Sequence, residues 1–140
     1  MKKLFYSLFQ IIWCFPQNLT GLILFFLLWK REHYFFRGAV VTSWNRNCCT
    51  SIGCFIFMDR HSFRNERPLL IHEYGHTVQS MLLGWLYFPV IFLPSVIWFS
   101  VPYFKKFRKQ KHYSYYRFYT ERWANHLGEK FCHEPSVKES

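Results

Sequence analysis

Two long stretches without a charged residue constrain this chain more than any other feature. The first runs from Leu4 to Trp29 and the second from Thr77 to Phe104, with lysines next to both. About 20 consecutive apolar residues can cross a bilayer as a helix, and flanking Lys and Arg suit the phosphate headgroups. We therefore expect an α+β integral membrane protein. The alternative, two buried helices, is less favoured because a chain of 140 residues has little other surface to cover them.

The first stretch predicts a membrane segment at the N-terminus. Pro16-Gln17-Asn18 divides it into two apolar halves, 4–15 and 19–29. A cleaved signal peptide would need a small-residue cleavage site, and none follows the first half. We therefore interpret residues 1–30 as a permanent anchor.

The second stretch contains residues that interrupt helices. Gly84, Pro89, Pro94 and Pro102 all fall within it. Prolines at this density break or kink a helix. The sequence therefore predicts a bent or re-entrant apolar hairpin over residues 84–104 rather than one straight span.

The charge balance leaves two classes of partner open. The chain has 18 Lys and Arg against 8 Asp and Glu, and 23% of its residues are aromatic. Such a chain could bind nucleic acid or an anionic membrane. The basic stretch at 105–111 directly follows an apolar segment, which favours membrane lipids and no nucleic acid. Basic residues beside both apolar stretches predict the cytoplasmic side of a bacterial membrane for the polar parts.

Two segments between the apolar stretches have the composition of β-strands. Residues 34–44 and 51–58 are rich in β-branched and aromatic residues, and the polar residues 45–50 separate them. This pattern predicts a β-hairpin or a small antiparallel sheet. An edge strand there could bind an extended peptide by β-augmentation, or the sheet could only pack against a helix. Helical spacing returns from about Tyr115 to Phe131, and the polar end is expected to fray.

The residues His72-Glu73-Tyr74-Gly75-His76 form an HExxH motif. Positions i and i+4 share one face of a helix, so both imidazoles can reach one metal ion, and the Glu can take a proton from a water there. Pro68 suits the first turn of this helix and Gly84 suits its end. By itself the motif also fits the exposed face of an amphipathic helix that binds no metal.

A catalytic zinc ion takes three protein ligands, so a third ligand is needed. The downstream candidates are Glu121, His112, His126 and His133. Glu121 stands out because Asn125 follows four residues later on the predicted helix, where it could orient a ligating histidine. His112 is a further candidate, as a hydrogen-bond donor to the oxyanion of a tetrahedral intermediate.

The HExxH motif followed by a helical Glu-x-x-Ala-Asn resembles the gluzincin metallopeptidases of the HtpX and CAAX-prenyl-protease type, which are integral membrane zinc endopeptidases. The resemblance covers residues 51–128 and suggests a short bacterial membrane variant of that family. It implies that His72, His76 and Glu121 bind Zn²⁺ and that Glu73 is the general base. Asn125 stands where these relatives have Asp, so it can accept a hydrogen bond but lacks the charge.

Together these patterns predict a minimal gluzincin-like core: a small β-hairpin, an HExxH helix and a Glu-bearing helix. The expected division is an anchor at 1–30, a metallopeptidase-like domain at 31–131 and a polar tail at 132–140. The expected function is membrane-bound, zinc-dependent hydrolysis of membrane-associated peptides or proteins. Two alternatives remain: a non-catalytic membrane module or partner subunit, and a basic membrane-active polypeptide whose HExxH is accidental.

A single membrane crossing by residues 77–104 would put the HExxH motif and Glu121 on opposite sides of the bilayer. The two can therefore share a metal ion only if the helix breaks near Pro89–Pro94.

Overall fold

A computed structural model describes residues 12–139 of the chain. Within them the fold is α+β, with five α-helices and one four-stranded sheet. The elements in chain order are α1 (Phe15–Leu27), β1 (His33–Phe36), β2 (Ala39–Trp44), β3 (Thr50–Ile52), β4 (Phe55–Asp59), α2 (Arg67–Leu83), a 3₁₀ turn (Gly84–Leu86), a π-helical stretch (Phe88–Phe92), α3 (Leu93–Ser100), α4 (Pro102–Lys111), a second 3₁₀ turn (Tyr115–Arg117) and α5 (Tyr119–Cys132).

The sheet has the strand order β1-β2-β4-β3, which differs from the predicted hairpin. Each predicted strand is itself a short antiparallel hairpin, and β2 pairs with β4 in parallel. The first hairpin turns at Arg37-Gly38, where both residues have positive φ (47° and 86°), as a tight two-residue turn requires. The strand-like residues on either side of this turn concealed it in the sequence. As a result β3 lies at one edge of the sheet and β4 lies inside it.

Helices α2 and α5 approach each other closely through two glycines. A Cβ on Gly75 would lie 1.8 Å from the carbonyl oxygen of Ala124, and one on Gly128 would lie 2.2 Å from that of Ile71. Side chains at these positions would force the helices apart, since the opposing atoms belong to the backbone. Because Gly75 and Gly128 have no side chains, the HExxH helix and the Glu-bearing helix can approach each other this closely.

Helix α1 packs on the sheet and on the end of α2. Asn18 accepts a hydrogen bond from the backbone N–H of Cys54 at 3.0 Å, and Gln17 donates one to the carbonyl of Gly84. Pro16 does not break α1, because it lies in the first turn of this helix, where the helix needs no N–H. The predicted division falls just before α1 instead, at Cys14, which follows the helical residues 12–13. The remainder of the predicted anchor, residues 1–11, lies outside the described residues.

The prediction of an integral membrane fold, with an N-terminal membrane segment, is wrong. Within residues 12–139 no single helix is long and apolar enough to cross a membrane. The first uncharged stretch contributes a helix of 13 residues, and the second is divided among several helical segments. The helical segments Arg67–Leu86 and Phe88–Ser100 are long and apolar enough to cross a membrane only when they are counted together, and the chain bends by 119° between them.

The bend in the second stretch precedes the prolines that were expected to cause it. Helix α2 ends at Leu83, and the next residue, Gly84, has a left-handed φ of 53°. The direction of the chain then changes before Phe88. Pro89 then falls in the first turn of the next helical segment, where its missing N–H is tolerated. The chain is redirected again at Val101, which is extended because Pro102 follows it.

Candidate metal centre

Three side chains from two distant segments converge between α2 and α5. The Nε2 atom of His72 lies 3.1 Å from Oε2 of Glu121, and the Nε2 atom of His76 lies 3.2 Å from the same oxygen. All three side chains are buried. Their potential ligand atoms lie within 4.8 Å of one another, so the group could hold a metal ion. The other third-ligand candidates, His112, His126 and His133, are exposed.

The remaining ring nitrogen of His72 is fixed by Asn125. The Oδ1 atom of Asn125 lies 2.7 Å from Nδ1 of His72, and its amide group donates to the carbonyl of Val137 at 3.1 Å. A carbonyl oxygen can only accept, so the amide nitrogen must face Val137 and the amide oxygen must face the imidazole. His72 therefore carries a proton on Nδ1.

His76 is fixed in the same way by Gln79, a residue for which the sequence predicted no role. The Oε1 atom of Gln79 lies 2.7 Å from Nδ1 of His76, and its amide group donates to the carbonyl of Thr120 at 2.9 Å. Gln79 is completely buried. This arrangement also places the ring proton on Nδ1, because the Thr120 carbonyl determines which way the amide points.

These two amides leave both Nε2 atoms facing the carboxylate of Glu121. Lone pairs and a carboxylate oxygen in a buried space repel one another unless a cation or an additional proton lies among them. Ligand atoms about 2 Å from a tetrahedral ion lie about 3.3 Å apart, close to the two distances observed here. Two imidazoles and one carboxylate are a donor set that catalytic zinc uses, so the residues present fit this metal.

The charges of the cluster support cation binding. Burial by itself would lower the pKa of His76, but the neighbouring Glu121 carboxylate outweighs it and raises this pKa to about 9. Burial would likewise raise the pKa of Glu121, but His76 and His72 hold it well below its usual value. Glu121 is therefore an anion, which is the form that ligates a metal.

Glu73 lies beside this cluster and is held by the edge strand. The hydroxyl of Ser51 donates to Oε2 of Glu73 at 2.7 Å, and the Tyr87 hydroxyl donates to the Ser51 carbonyl at 3.1 Å. Ser51 is buried at the centre of β3. The Glu73 carboxylate is thus oriented from the sheet and not only by its own helix.

The cluster and Glu73 line a cavity of about 630 Å³. Edge strand β3 forms part of the wall, and most of the remaining wall is aromatic or aliphatic. A volume of this order accommodates several side chains of a ligand. Its aromatic lining comes from Trp44, Tyr87, Phe92, Phe99, Tyr115 and Tyr116.

The structure does not bring His112 to the cavity. His112 ends α4 in a left-handed conformation, is exposed and is absent from the lining. Two tyrosines lie there instead: Tyr115 interacts with Glu121, and the ring of Tyr116 packs edge-on against that of His72 at 5.0 Å. Partial burial raises the pKa of both phenols, that of Tyr116 to about 12, so both remain hydrogen-bond donors at neutral pH.

No protein-family model matches this chain, and neither does any curated protein or solved structure.

Proposed function

We propose that this chain is a zinc-dependent metallopeptidase of the gluzincin type. The observation that carries the proposal is the convergence of His72, His76 and Glu121 at a cavity that Glu73 also lines. The histidines and Glu121 come from helices separated in sequence, and both histidines present Nε2 to the same oxygen. An accidental HExxH would not require a buried carboxylate opposite both imidazoles.

The chain's own residues supply the proton transfers of peptide hydrolysis. A bound zinc ion supplies Lewis-acid activation of water and of the peptide carbonyl. Glu73, oriented by Ser51, takes a proton from the attacking water and gives it to the amide nitrogen as the C–N bond breaks. Tyr115 or Tyr116 donates a hydrogen bond to the oxyanion that develops on the former carbonyl oxygen.

The edge strand and the cavity indicate the form of the substrate. Strand β3 has β4 on one side only, and it lines the cavity beside Glu73. An extended peptide can pair with such an edge, and the backbone of a peptide bound in this way would pass beside His72, His76 and Glu121. The apolar cavity wall favours substrates with large apolar side chains near the cleaved bond.

Zinc content gives the first test of this proposal. The chain purified without chelators is expected to contain about one zinc ion, and Glu121→Gln to weaken zinc binding by more than about 100-fold because one of three ligands is changed. Atomic emission spectroscopy and competition with a chromophoric chelator measure these quantities. Glu32→Gln, at an exposed position, is the matched control. A chain that binds zinc no better than its Glu121→Gln variant would end the proposal.

We also propose that the enzyme works on an anionic lipid surface, with which it associates through α3 and α4. Helix α3 and the residues before it expose apolar side chains, among them Leu93 at 54%, and Tyr103 at the start of α4 is 71% exposed. Helix α4 carries five basic residues and no acidic one. Apolar contact beside positive charge is complementary to anionic headgroups over an acyl layer.

Vesicle binding tests this surface. We expect the chain to sediment with vesicles of phosphatidylcholine mixed with phosphatidylglycerol, and only weakly with phosphatidylcholine alone. Because each basic residue contributes about 1 kcal/mol at such a surface, reversing Lys105, Lys106 and Lys109 to Glu should weaken binding at least about 100-fold. Reversal of the exposed Arg60 is the control. Equal binding by both variants, or self-association of the chain that buries α3 in place of vesicle binding, would contradict this proposal.

A further inference from the structure

The C-terminal residues after α5 are packed against α2 and α5 at several points. Arg67 forms a bidentate ion pair with Glu134, in which two guanidinium nitrogens each donate to one carboxylate oxygen at 2.7 Å. The N–H and the hydroxyl of Ser136 both donate to Oε1 of Glu129, at 3.1 and 2.8 Å, and Ser136 is buried. This segment, which the sequence predicted to fray, therefore has a defined path across α5.

This path brings the carbonyl of Val137 to the amide of Asn125. Among the described residues, the Val137 carbonyl is the group that requires the Asn125 amide nitrogen, and not its oxygen, to point away from His72. Without this carbonyl the amide could be turned either way. A reversed amide would turn its N–H groups toward Nδ1 of His72. In the tautomer that can bind metal through Nε2, Nδ1 carries a proton, so two donors would then face each other. The imidazole would then lose its acceptor or move its proton to Nε2, the atom that faces Glu121.

We propose that residues 135–139 are a positioning element of the metal centre. Their function is to keep the Asn125 amide in the one orientation that leaves Nε2 of His72 free to bind metal. His76 has no such dependence, because the acceptor of its Gln79 is Thr120, which lies within α5 itself. The inference rests on the proposed metal site, and it makes the affinity of that site depend on the tail.

The replacement of Asn125 by Asp separates positioning from a merely structural role. Both oxygens of a carboxylate can accept, so an aspartate accepts from His72 whichever way it is turned and needs no orientation by Val137. The tail should therefore matter for zinc affinity when residue 125 is Asn and matter little when it is Asp.

The zinc affinity of four proteins tests the proposal. They are the unchanged 140-residue chain, a chain ending at Glu134, the Asn125→Asp variant, and a chain with both changes. We expect loss of the tail to weaken zinc binding by about 10- to 100-fold with Asn125 and less than about threefold with Asn125→Asp. Glu129→Ala, which removes the acceptor of both Ser136 bonds from the complete chain, should have the same dependence on residue 125. Lys138→Ala, at an exposed tail position, should leave affinity unchanged.

Tail loss that weakens zinc binding equally in both backgrounds, or in neither, would overturn the inference. The ¹⁵N NMR signals of the His72 ring in the metal-free protein provide a readout that does not need metal. We expect protonated Nδ1 in the complete chain and a mixture of tautomers in the chain ending at Glu134. If the complete chain binds no zinc but the tautomer still follows the tail, the proposed function fails and the positioning role stands. If the tautomer is unaffected by the tail, the positioning role fails.

Discussion

Replacing Glu73 by Gln is expected to abolish peptide hydrolysis while leaving the zinc content of the chain unchanged. The carboxamide has nearly the shape of the carboxylate and can still contact Ser51, but it cannot take a proton from water. General acid–base catalysis contributes about 10²- to 10⁴-fold, so kcat should fall by at least that factor. Cleavage of a quenched-fluorescence peptide library, together with metal analysis of the same samples, measures both quantities.

Three outcomes of this experiment have distinct meanings. Glu32→Gln, which changes an exposed carboxylate that does not line the cavity, should retain full activity and full zinc content. Activity that survives in Glu73→Gln would show that the base is another group. A complete chain that binds stoichiometric zinc and cleaves no peptide would support the non-catalytic module, and a chain without zinc would point to an accidental HExxH.

Replacing Gly75 by Ala is expected to have the largest effect on stability and to weaken the metal centre with it. Alanine in a helix is ordinarily favoured over glycine by up to about 1 kcal/mol. Here its Cβ would lie 1.8 Å from the carbonyl oxygen of Ala124, so the two helices must separate. We expect the free energy of unfolding to fall by about 3 kcal/mol or more, the upper range for overpacking. Urea unfolding measures this loss.

The separation should also appear in zinc affinity, since Glu121 lies one turn from Ala124 on α5. Gly128→Ala, with a contact at 2.2 Å to Ile71, should have an effect of the same sign. Lys130→Ala, at an exposed position of α5, should change neither stability nor zinc binding. If Gly75→Ala is as stable as the unchanged chain and binds zinc as tightly, then close approach of the helices is not what assembles the cluster.

Local patterns predicted the two helices of the site well. The HExxH spacing placed both histidines on one face of α2, with Pro68 in its first turn and Gly84 at its end, as observed. The spacing from Glu121 to Asn125 likewise placed both on one face of α5. These predictions succeeded because helix periodicity and capping depend on residues a few positions apart.

Most of the hydrogen bonds around the cluster could not be predicted. Gln79 is an exception, because it lies three residues after His76 on α2 and helical spacing places the two side chains on one face. The contacts that orient the two amides, from Gln79 to the Thr120 carbonyl and from Asn125 to the Val137 carbonyl, depend on how α2, α5 and the tail pack. Ser51 reaches Glu73 because β3 is the sheet edge beside α2, and the strand order was not evident from a composition that suited one hairpin as well as two.

Length and apolar character led to the incorrect membrane prediction. An uncharged stretch specifies the residues that avoid charge but not the direction of the backbone, and the bend of 119° depends on the chain path between α2 and Phe88. The sequence by itself determined the HExxH helix and the Glu-bearing helix, because helical periodicity is local. Only the tertiary structure decided that they meet at Gly75 and Gly128 with both histidine Nε2 atoms facing one carboxylate oxygen, because that arrangement depends on packing between distant segments.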